Sequence, residues 1–279
     1  MILLFTIGGR TGNQLFQIAY ALSRRRTSEW LVSVGFGKTR SLLAGACRKR
    51  WLNIDAPFLR YVSERCIHPV LYRAFVRTGL VSSHYENYDT YTIRRGKIRF
   101  IRIMKGYFQS SERQAPDLSR LMRLKESLRN TVRPKLASIV DGGCPVFVHV
   151  RRSDYEGVII GGQSARLPDR YYFAAVQRLR TRNPGLFFII MGDDPEYSEL
   201  LFKDLGPKYI SRLTVDEDLA LMSLCEGGVL SNSNFAWWGA FFSSSRLGYI
   251  APRYWSGWRV KTWLPPELRG SFVSEYLDF

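Results

Sequence analysis

Cysteine and histidine are scarce in this chain of 279 residues, which contains four cysteines and three histidines. The cysteines stand far apart and none belongs to a C-x-x-C pair, so the sequence indicates neither a disulfide framework nor a cysteine-ligated zinc site. No apolar run approaches the roughly 20 residues that a membrane-spanning helix needs. The apolar segment at residues 1–7 is too short for a signal peptide. We therefore expect a reduced, intracellular protein.

Signatures of several common chemistries are missing as well. The chain contains no G-x-x-x-x-G-K-[ST] phosphate-binding loop and no G-x-S-x-G nucleophile motif, which argues against phosphate-loop hydrolysis and α/β-hydrolase chemistry. It also lacks the aromatic signatures of RNA-binding domains. His68 and His84 have no neighbours at metal-ligand spacing, and the D-x-D sequence at residues 216–218 falls at a predicted helix start, where acidic residues suit the helix dipole. The sequence therefore predicts no metal site.

Apolar residues, in contrast, are abundant enough to build a substantial core. The chain is 46% hydrophobic and 14% aromatic, which excludes disorder, collagen and coiled coil as its main state. Its length fits one large domain or two domains of about 130 residues each.

Positive charge is concentrated in the first half of the chain. Residues 1–140 carry 26 Lys and Arg against 8 Asp and Glu, whereas residues 141–279 carry 15 against 16. This asymmetry predicts two domains, 1–140 and 141–279. A basic half attracts polyanions such as nucleic acid, anionic lipid headgroups or acidic glycans. Basic clusters such as residues 24–26 and 48–50 can equally be solvated faces that keep the protein soluble.

Apolar strands alternate with helices along most of the sequence. In the first half the pattern predicts strands at 2–7 and 30–34 and a helix at 14–25, while residues 36–95 follow no clean period. In the second half it predicts strands at 145–150, 186–191, 229–231 and 247–251, and helices at 169–182, 195–203, 216–225 and 234–244. Apolar strands joined by helices are typical of a parallel sheet covered on both faces. We predict an α/β fold of two doubly wound, Rossmann-like domains that face a cleft, with ligands at the carboxyl ends of the strands.

Two candidate ligand-binding segments directly follow predicted strands. The first is G-G-R-T-G-N-Q at residues 8–14, where glycines let backbone N–H groups approach a ligand and Arg10 and Asn13 offer polar side chains. A tight strand-to-helix turn explains the same pattern.

The second is H-V-R-R-S-D-Y at residues 149–155. Adjacent arginines after a buried strand are costly unless neutralised, and a guanidinium fits a phosphate in a bidentate manner. Here Asp154 can instead hold an arginine in a structural ion pair.

Two further segments occupy equivalent positions after later strands. In M-G-D-D-P at residues 191–195, carboxylates can accept hydrogen bonds from a purine amine and ring N–H, although an acidic residue before Pro195 is also a good helix cap. The segment S-N-S-N-F at residues 231–235 opens a helix. Small hydroxyl and amide residues at a helix N-terminus make an anion cradle without a lysine, whereas a helix cap alone needs a single such residue.

Taken together, these segments resemble the α-1,2-fucosyltransferases of glycosyltransferase family 11. The sequence at 149–155 is similar to the family motif H-x-R-R-x-D-Y, and that at 9–17 to G-x-x-G-N-Q-x-F-Q. The family segments G-Y-[FW]-Q and A-P-x-x-W correspond to residues 106–109 and 251–255, and the block at 218–240 resembles the family's carboxyl-terminal motif. The chain departs from the family pattern at four positions: Thr11, Ser153, Asn234 and Ala236.

This resemblance implies a GT-B-like fold with a basic acceptor-side domain at 1–140 and a GDP-fucose-binding domain at 141–279. It implies inverting, metal-independent transfer of L-fucose from GDP-β-L-fucose to the 2-hydroxyl of a terminal β-galactoside, on a glycan or a lipid-linked oligosaccharide. The candidate catalytic residues are Arg151, Asp154, His149 and Glu156. The candidate donor-binding residues are Gly9, Arg10, Gly12, Asn13, Arg152, Asp193, Asp194, Ser231, Asn232, Ser233, Asn234 and Phe235.

The resemblance also suggests individual roles. Arg151 is expected to be the main β-phosphate ligand, and Asp194 to bind the guanine. His149 is expected beside the guanosine or the acceptor, while Arg10 and Asn13 would contact the pyrophosphate or fucose. For the base that takes the acceptor proton, the sequence leaves Asp154, Glu156 and His149 open.

Several alternatives remain open from the sequence. A fucosyltransferase of another linkage, α-1,6 or O-linked to protein, would share the arginine motif. A non-enzymatic protein that binds polyanions through the basic half would have no use for the other motifs, so nucleic acid is not an expected partner. A catalytically silent relative would bind the nucleotide sugar alone. We expect a cytoplasmic enzyme of lipopolysaccharide O-antigen biosynthesis that contacts the anionic inner face of the membrane.

Overall fold

The computed structural model describes residues 1–87, 90–109, 117–255 and 270–279. The chain divides into two compact units, residues 1–125 and 126–279. The division lies at the start of a helix, Glu126–Ile139, whereas the charge distribution places it near the end of that helix. The helix belongs to the second unit because Arg129 donates hydrogen bonds to Ser223 Oγ at 3.1 Å and to the Phe242 carbonyl at 2.7 Å. Packing places this helix in the second unit, and the first unit, with 23 Lys and Arg against 7 Asp and Glu, is the basic one.

The first unit is built on a six-stranded sheet with the order β3-β2-β1-β6-β4-β5. Its strands are β1 (Ile2–Phe5), β2 (Leu31–Val34), β3 (Trp51–Ile54), β4 (Val81–Asn87), β5 (Thr90–Arg94) and β6 (Ile98–Lys105). Its helices are α1 (Thr11–Arg24), α2 (Gly37–Leu42), α3 (Pro57–Val62), α4 (His68–Leu71) and α5 (Leu118–Leu121). Neighbouring strands are parallel except β5, which runs antiparallel to β4.

Both faces of this sheet are covered, because the adjacent residues Leu4 and Phe5 of β1 point to opposite faces and both are buried. On one face Phe5 packs with Val34, Ile103 and Val76. Wide helical turns at Ser63–Ile67 and Tyr72–Val76 extend α3 and α4 into one helical run from residue 57 to 76. The predicted elements in the first half are confirmed with shifts of a few residues. Within residues 36–95, where the sequence shows no period, the structure places β3, β4, β5 and this helical run.

The second unit contains a wholly parallel six-stranded sheet with the order β11-β10-β7-β12-β13-β14. A short antiparallel pair, β8 with β9, lies outside it. The strands are β7 (Cys144–Val150), β8 (Ile159–Ile160), β9 (Gln163–Ser164), β10 (Leu186–Gly192), β11 (Lys208–Ile210), β12 (Gly227–Val229), β13 (Gly248–Pro252) and β14 (Val273–Leu277). The helices are α6 (Glu126–Ile139), α7 (Asp169–Arg182), α8 (Pro195–Leu201), α9 (Val215–Met222) and α10 (Asn234–Phe242).

The core of the second unit explains its parallel topology. Central strands β7 and β10 bury Val148, Phe188 and Ile190 against Tyr172 and Leu179 of α7. Strands with apolar residues on both faces need helices on both sides, which is the arrangement that crossover connections supply. The four strands and four helices predicted in this half are all present, although β12 lies two residues earlier than predicted. Both units are α/β with parallel strands, apart from the antiparallel edge strand β5 of the first unit. In the described part of the chain, no helix is long and apolar enough to cross a membrane.

Acidic residues 216–218 mark the start of α9, as the sequence predicts. Thr214 and Glu217 form a reciprocal capping box: Thr214 Oγ1 accepts from the Glu217 N–H at 3.3 Å, and Glu217 Oε2 accepts from the Thr214 N–H at 2.9 Å. Asp218 turns inward and accepts a hydrogen bond of 2.6 Å from Ser211 Oγ. Burial raises the pKa of Asp218 to about 7. Within the D-x-D sequence, Glu217 therefore caps the helix and Asp218 is a buried carboxyl.

We expect Asp218→Asn to stabilise the protein at alkaline pH. The folded-state pKa of Asp218 lies above its ordinary value, so its contribution to stability is present below about pH 4 and is lost as the pH rises through 7. Asparagine keeps the oxygen that Ser211 binds and carries no charge. The gain in free energy of unfolding over wild type should therefore grow by about 3 kcal/mol between pH 4 and pH 8.

Urea unfolding of both proteins across this pH range measures that difference. Asp204→Asn, at an exposed carboxylate of the same unit, is the matched control and should show no pH-dependent gain. An Asp218→Asn gain that is constant from pH 4 to pH 8 would contradict a buried, pKa-shifted carboxyl.

Candidate functional site

The strand order of the second unit reverses between β7 and β12. From β7 the chain moves outward through β10 and β11, and it then returns to the other side of β7 with β12, β13 and β14. Ligands of doubly wound sheets bind outside the carboxyl ends of the strands at such a switch point. The segments 151–154 and 231–233 leave β7 and β12 at this edge, so the topology brings the second and fourth candidate motifs together.

The guanidinium of Arg151 is held by two carboxylates. Its Nη2 lies 2.6 Å from Asp154 Oδ2 and its Nη1 lies 3.2 Å from Asp193 Oδ2, with only 13% of the side chain exposed. The guanidinium also lies over the ring of Tyr155, 5.4 Å from its centre. Of the two adjacent arginines, it is Arg151 and not Arg152 that pairs with Asp154 in the structure. The Arg151 side chain is therefore held in one orientation at the end of β7.

Asp193 organises the loop that carries both arginines. Besides Arg151 it accepts hydrogen bonds from the Arg152 N–H at 2.9 Å and from Ser153 Oγ at 2.7 Å. Burial acts to raise the pKa of Asp193, but the hydrogen bonds from Ser153 and Arg152 and the positive charge of Arg151 outweigh it. The pKa consequently lies below its ordinary value. The structure therefore places Asp193 as a support of the arginine loop, a role that the sequence did not predict for it.

Asp194 caps a helix and also faces the second arginine. Its Oδ1 accepts from the Tyr197 N–H at 3.0 Å at the start of α8, which confirms the helix-cap interpretation. Its Oδ2 lies 3.7 Å from Arg152 Nε, and the Arg152 guanidinium stacks 3.5 Å from the centre of the Tyr197 ring. Tyr197 was not among the predicted residues. Its position three residues after Asp194 on α8 is the signal that could have suggested it.

His149 is buried and hydrogen-bonded to Ser231. The distance from its Nδ1 to Ser231 Oγ is 2.7 Å, and this bond links the ends of β7 and β12. Burial, reinforced by the positive charge of Arg151, lowers the pKa of His149 to about 3. The imidazole is therefore neutral at physiological pH. Among the three candidate bases, Glu156 is the most exposed; it lies 3.4 Å from Arg166 Nη1.

The polar residues before α10 are each engaged in the fold. Ser233 is the N-cap and accepts from the Phe235 N–H at 3.3 Å. Asn232 is buried and donates to the Ala165 carbonyl at 2.9 Å. Asn234 and Phe235, the first residues of α10, are half-buried. The helix N-terminus directs positive partial charge toward the same edge as the arginine loop.

In the first unit the glycine-rich turn is shorter than predicted. Gln14 donates its N–H to the Arg10 carbonyl at 3.1 Å, so α1 begins at Thr11. Gly12 and Asn13 therefore lie in the first helical turn, not in a loop, and Gly12 is buried. Gly9 does turn the chain, with φ of 86°, and a Cβ there would lie 2.6 Å from Asn13 Nδ2. Arg10 is exposed at the turn.

A residue outside the predicted set holds Asn13. Gln109, the last residue of the G-Y-F-Q segment, donates from Nε2 to Asn13 Oδ1 at 3.2 Å. The strand order of this sheet reverses between β1 and β6. Asn13 follows β1 in the chain, and Gln109 follows β6. The G-Y-F-Q segment was recognised as a family feature, and its position after a strand is the signal that Gln109 belongs with Asn13. Over the described ranges, no three His, Cys, Asp or Glu side chains are grouped as metal ligands would be.

Comparison with known proteins identifies the family to which the chain belongs. The model of glycosyl transferase family 11 matches residues 72–262. An Escherichia coli protein named alpha-1,2-colitosyltransferase is 31% identical over 91% of this chain and 92% of its own length. The Escherichia coli O-antigen biosynthesis glycosyltransferase WbnK is 27% identical over 39% of this chain and 38% of its own length.

Solved structures share the fold at low sequence identity. Fucosyltransferase NodZ from Bradyrhizobium matches with a TM-score of 0.55 at 12% identity, over 87% of this chain and 92% of that protein. The Escherichia coli heptosyltransferase WaaC matches with a TM-score of 0.51 at 9% identity, over 99% of this chain and 92% of that protein. The matched family model and the colitosyltransferase both cover most of the chain. The chain belongs to glycosyl transferase family 11 and is a glycosyltransferase.

Proposed function

We propose that this protein is an inverting, metal-independent fucosyltransferase that transfers L-fucose from GDP-β-L-fucose to the 2-hydroxyl of a terminal β-galactoside. The observation that carries the proposal is the convergence of the Arg151–Arg152 loop and the N-terminus of α10 at the switch point of a parallel sheet. Both supply positive charge, and the pyrophosphate of a nucleotide sugar requires it. Membership of family 11 supports glycosyl transfer.

In the proposed reaction the acceptor oxygen forms a bond to C1 of fucose while the bond from C1 to the β-phosphate oxygen breaks. GDP leaves with additional negative charge on that oxygen. Arg151, with the N-terminus of α10, stabilises this charge in the role that a metal ion fills in other transferases. Because Asp193 still holds the guanidinium when the phosphate takes the place of Asp154, little further reorganisation is needed as the charge develops.

The proton of the acceptor hydroxyl passes to a carboxylate in this scheme. Asp154 and Glu156 are the candidates, since His149 is buried and its lowered pKa makes it a weak base. In the bound state Asp154 competes with the β-phosphate for Arg151, because both are anions within reach of one guanidinium. Glu156 is free of that competition.

GDP-colitose is a second candidate donor. The relative that is 31% identical over nearly the whole chain carries the name alpha-1,2-colitosyltransferase. Colitose is the 3-deoxy analogue of fucose, so the two donors differ at one hydroxyl. A site that hydrogen-bonds this hydroxyl discriminates strongly against the deoxy sugar, whereas an apolar site discriminates weakly.

The acceptor and location follow from the same proposal. We infer that the acceptor is a galactose-terminated O-antigen oligosaccharide carried on a lipid, and that the enzyme works in the cytoplasm at the inner membrane face. Support comes from the basic first unit, in which residues 1–125 contain 23 Lys and Arg against 7 Asp and Glu.

GDP release in the presence of EDTA tests the proposal. Purified protein is given GDP-fucose or GDP-colitose with a panel of β-galactosides, and product linkage is determined by NMR. We expect acceptor-dependent release in EDTA, a 1,2-linked product and a preference for GDP-fucose. Release that requires manganese, or a different donor, would overturn the corresponding part of the proposal. A 1,6-linked product would favour the alternative linkage, and release without an acceptor is the background control.

A further inference from the structure

The helical run at residues 57–76 in the first unit has one side packed on the sheet. Leu71, Tyr72 and Val76 contact the apolar cluster that includes Phe5 and Ile103. His68 is buried on the same side, with its Nε2 2.6 Å from Tyr85 Oη. This side holds the run in place, so the orientation of the opposite side is fixed as well.

The opposite side exposes large apolar residues. Phe58 is 74% exposed, Val70 is 61% exposed and Tyr61 is 56% exposed; Ile67 and Phe75 are exposed too. Single exposed apolar residues are ordinary on protein surfaces, but five on one helical run form an unpartnered apolar surface. Phe58, Cys66, Val70 and Ala74 are all exposed and stand four or eight residues apart, so they form a stripe along the helix.

Arginines flank this stripe. Arg65, Arg73 and Arg77 are exposed and also stand four or eight residues apart, which makes a second row beside the first. Arg65 lies over the ring of Tyr61, 5.1 Å from its centre. Residues 57–80 contain four arginines and one glutamate. An apolar stripe bordered by arginines is the pattern of a helix that lies in the plane of a membrane interface.

We propose that the exposed face of this helical run, together with the adjoining Arg77, docks on an anionic phospholipid membrane. Phe58, Val70 and Phe75 enter the boundary between headgroups and acyl chains, and the arginine row binds lipid phosphates. The arginines select a negatively charged occupant, and the apolar stripe requires one with an accessible hydrocarbon layer. A lipid surface satisfies both conditions along the whole run.

This inference deepens the proposed function, on which the expectation of a lipid-linked acceptor rests. Docking by this face would hold the enzyme at the surface where such an acceptor resides. Phe58, Arg65, Val70 and Arg73 are not among the residues assigned to either strand-end site, so we expect their replacement to leave transfer to a soluble acceptor unchanged. Binding to vesicles can therefore be measured independently of donor and acceptor.

Sedimentation of the full chain with vesicles at low salt tests the proposal. Vesicles of phosphatidylglycerol with phosphatidylcholine should bind the wild-type protein, and phosphatidylcholine alone should bind it weakly. The double variant Phe58→Ser, Val70→Ser should lower the partition coefficient by about 10-fold or more. Arg65→Gln with Arg73→Gln should lower it by about 30-fold and reduce its dependence on salt. Thermal midpoints should stay at the wild-type value because all four side chains are exposed.

A matched control lies on the second unit. Leu200 is 70% exposed and Phe173 is exposed beside it in a groove that Arg180 and Lys203 also line. Phe173→Ser with Leu200→Ser should leave vesicle binding unchanged.

The proposal is overturned if the wild-type protein does not sediment, or if only this control lowers binding. It is also overturned if the apolar face proves to join two copies of the chain, seen as a dimer that Phe58→Ser, Val70→Ser dissociates without any effect on vesicle binding. Transfer to a soluble acceptor by all variants separates failure of docking from failure of the proposed function.

Discussion

Replacing Arg151 with alanine is expected to lower turnover by about 100-fold or more, the usual effect of removing one charge contact to a transition state. In the proposed reaction this guanidinium stabilises the departing β-phosphate. Its position between Asp154 and Asp193 fixes it before the reaction begins. Arg151→Lys should recover only a small part of the loss, because an ammonium cannot contact two oxygens with the planar geometry of a guanidinium.

Turnover is measured as GDP release with the donor and acceptor that support transfer by the wild-type protein. The matched control is Arg212→Ala, which also removes an arginine held by two carboxylates, Glu196 and Glu199, but at the exposed surface of the same unit. That variant should keep turnover within about 2-fold, because exposed ion pairs contribute little. Asp193 retains the hydrogen bonds from Ser153 and the Arg152 backbone in Arg151→Ala, so the loop should keep its fold. Near-normal turnover of Arg151→Ala would assign the charge stabilisation to other groups.

Sequence patterning predicted the second unit well because its strands are apolar on both faces. Runs such as residues 186–191 cannot be mistaken for surface loops, and each is followed by a helix. Residues 36–95 resisted prediction for a physical reason that the structure supplies. The helical run there is apolar on its exposed side as well as on its packed side. Apolar residues on both sides of a helix erase the period on which the prediction depends.

For the candidate site, the sequence located the loops but not the contacts between them. A strand followed by polar residues is visible locally, and the topology then brings the ends of β7 and β12 together. Which carboxylate supports which arginine depends on residues far apart in sequence: Asp193 reaches Arg152 across 41 positions. Gln109 reaches Asn13 across 96 positions. Such pairs are fixed by strand order, which a single sequence does not specify.

Replacing Trp238 with alanine is expected to destabilise the second unit by about 4 kcal/mol, the usual cost of removing a fully buried tryptophan side chain. Trp238 is completely buried, and its ring lies 5.0 Å from those of Trp237 and Phe241. The helix that carries it has little room to close the cavity. A Cβ on the adjacent Gly239 would lie 2.5 Å from Met222 Sδ, so α10 already packs closely on α9.

Calorimetric melting checks this expectation, and the matched control is Trp30→Ala, at a tryptophan that is 54% exposed. The transition of the second unit should fall by about 10 °C in Trp238→Ala, whereas the control should change by less than a third of that. The paired tryptophans lie in the segment that resembles family 11 most distinctively, and their burial indicates a packing role. Well below the melting temperature, the affinity of Trp238→Ala for GDP should therefore remain within a few-fold of wild type. A variant with normal stability and greatly weakened GDP binding would instead show that this tryptophan contacts the nucleotide.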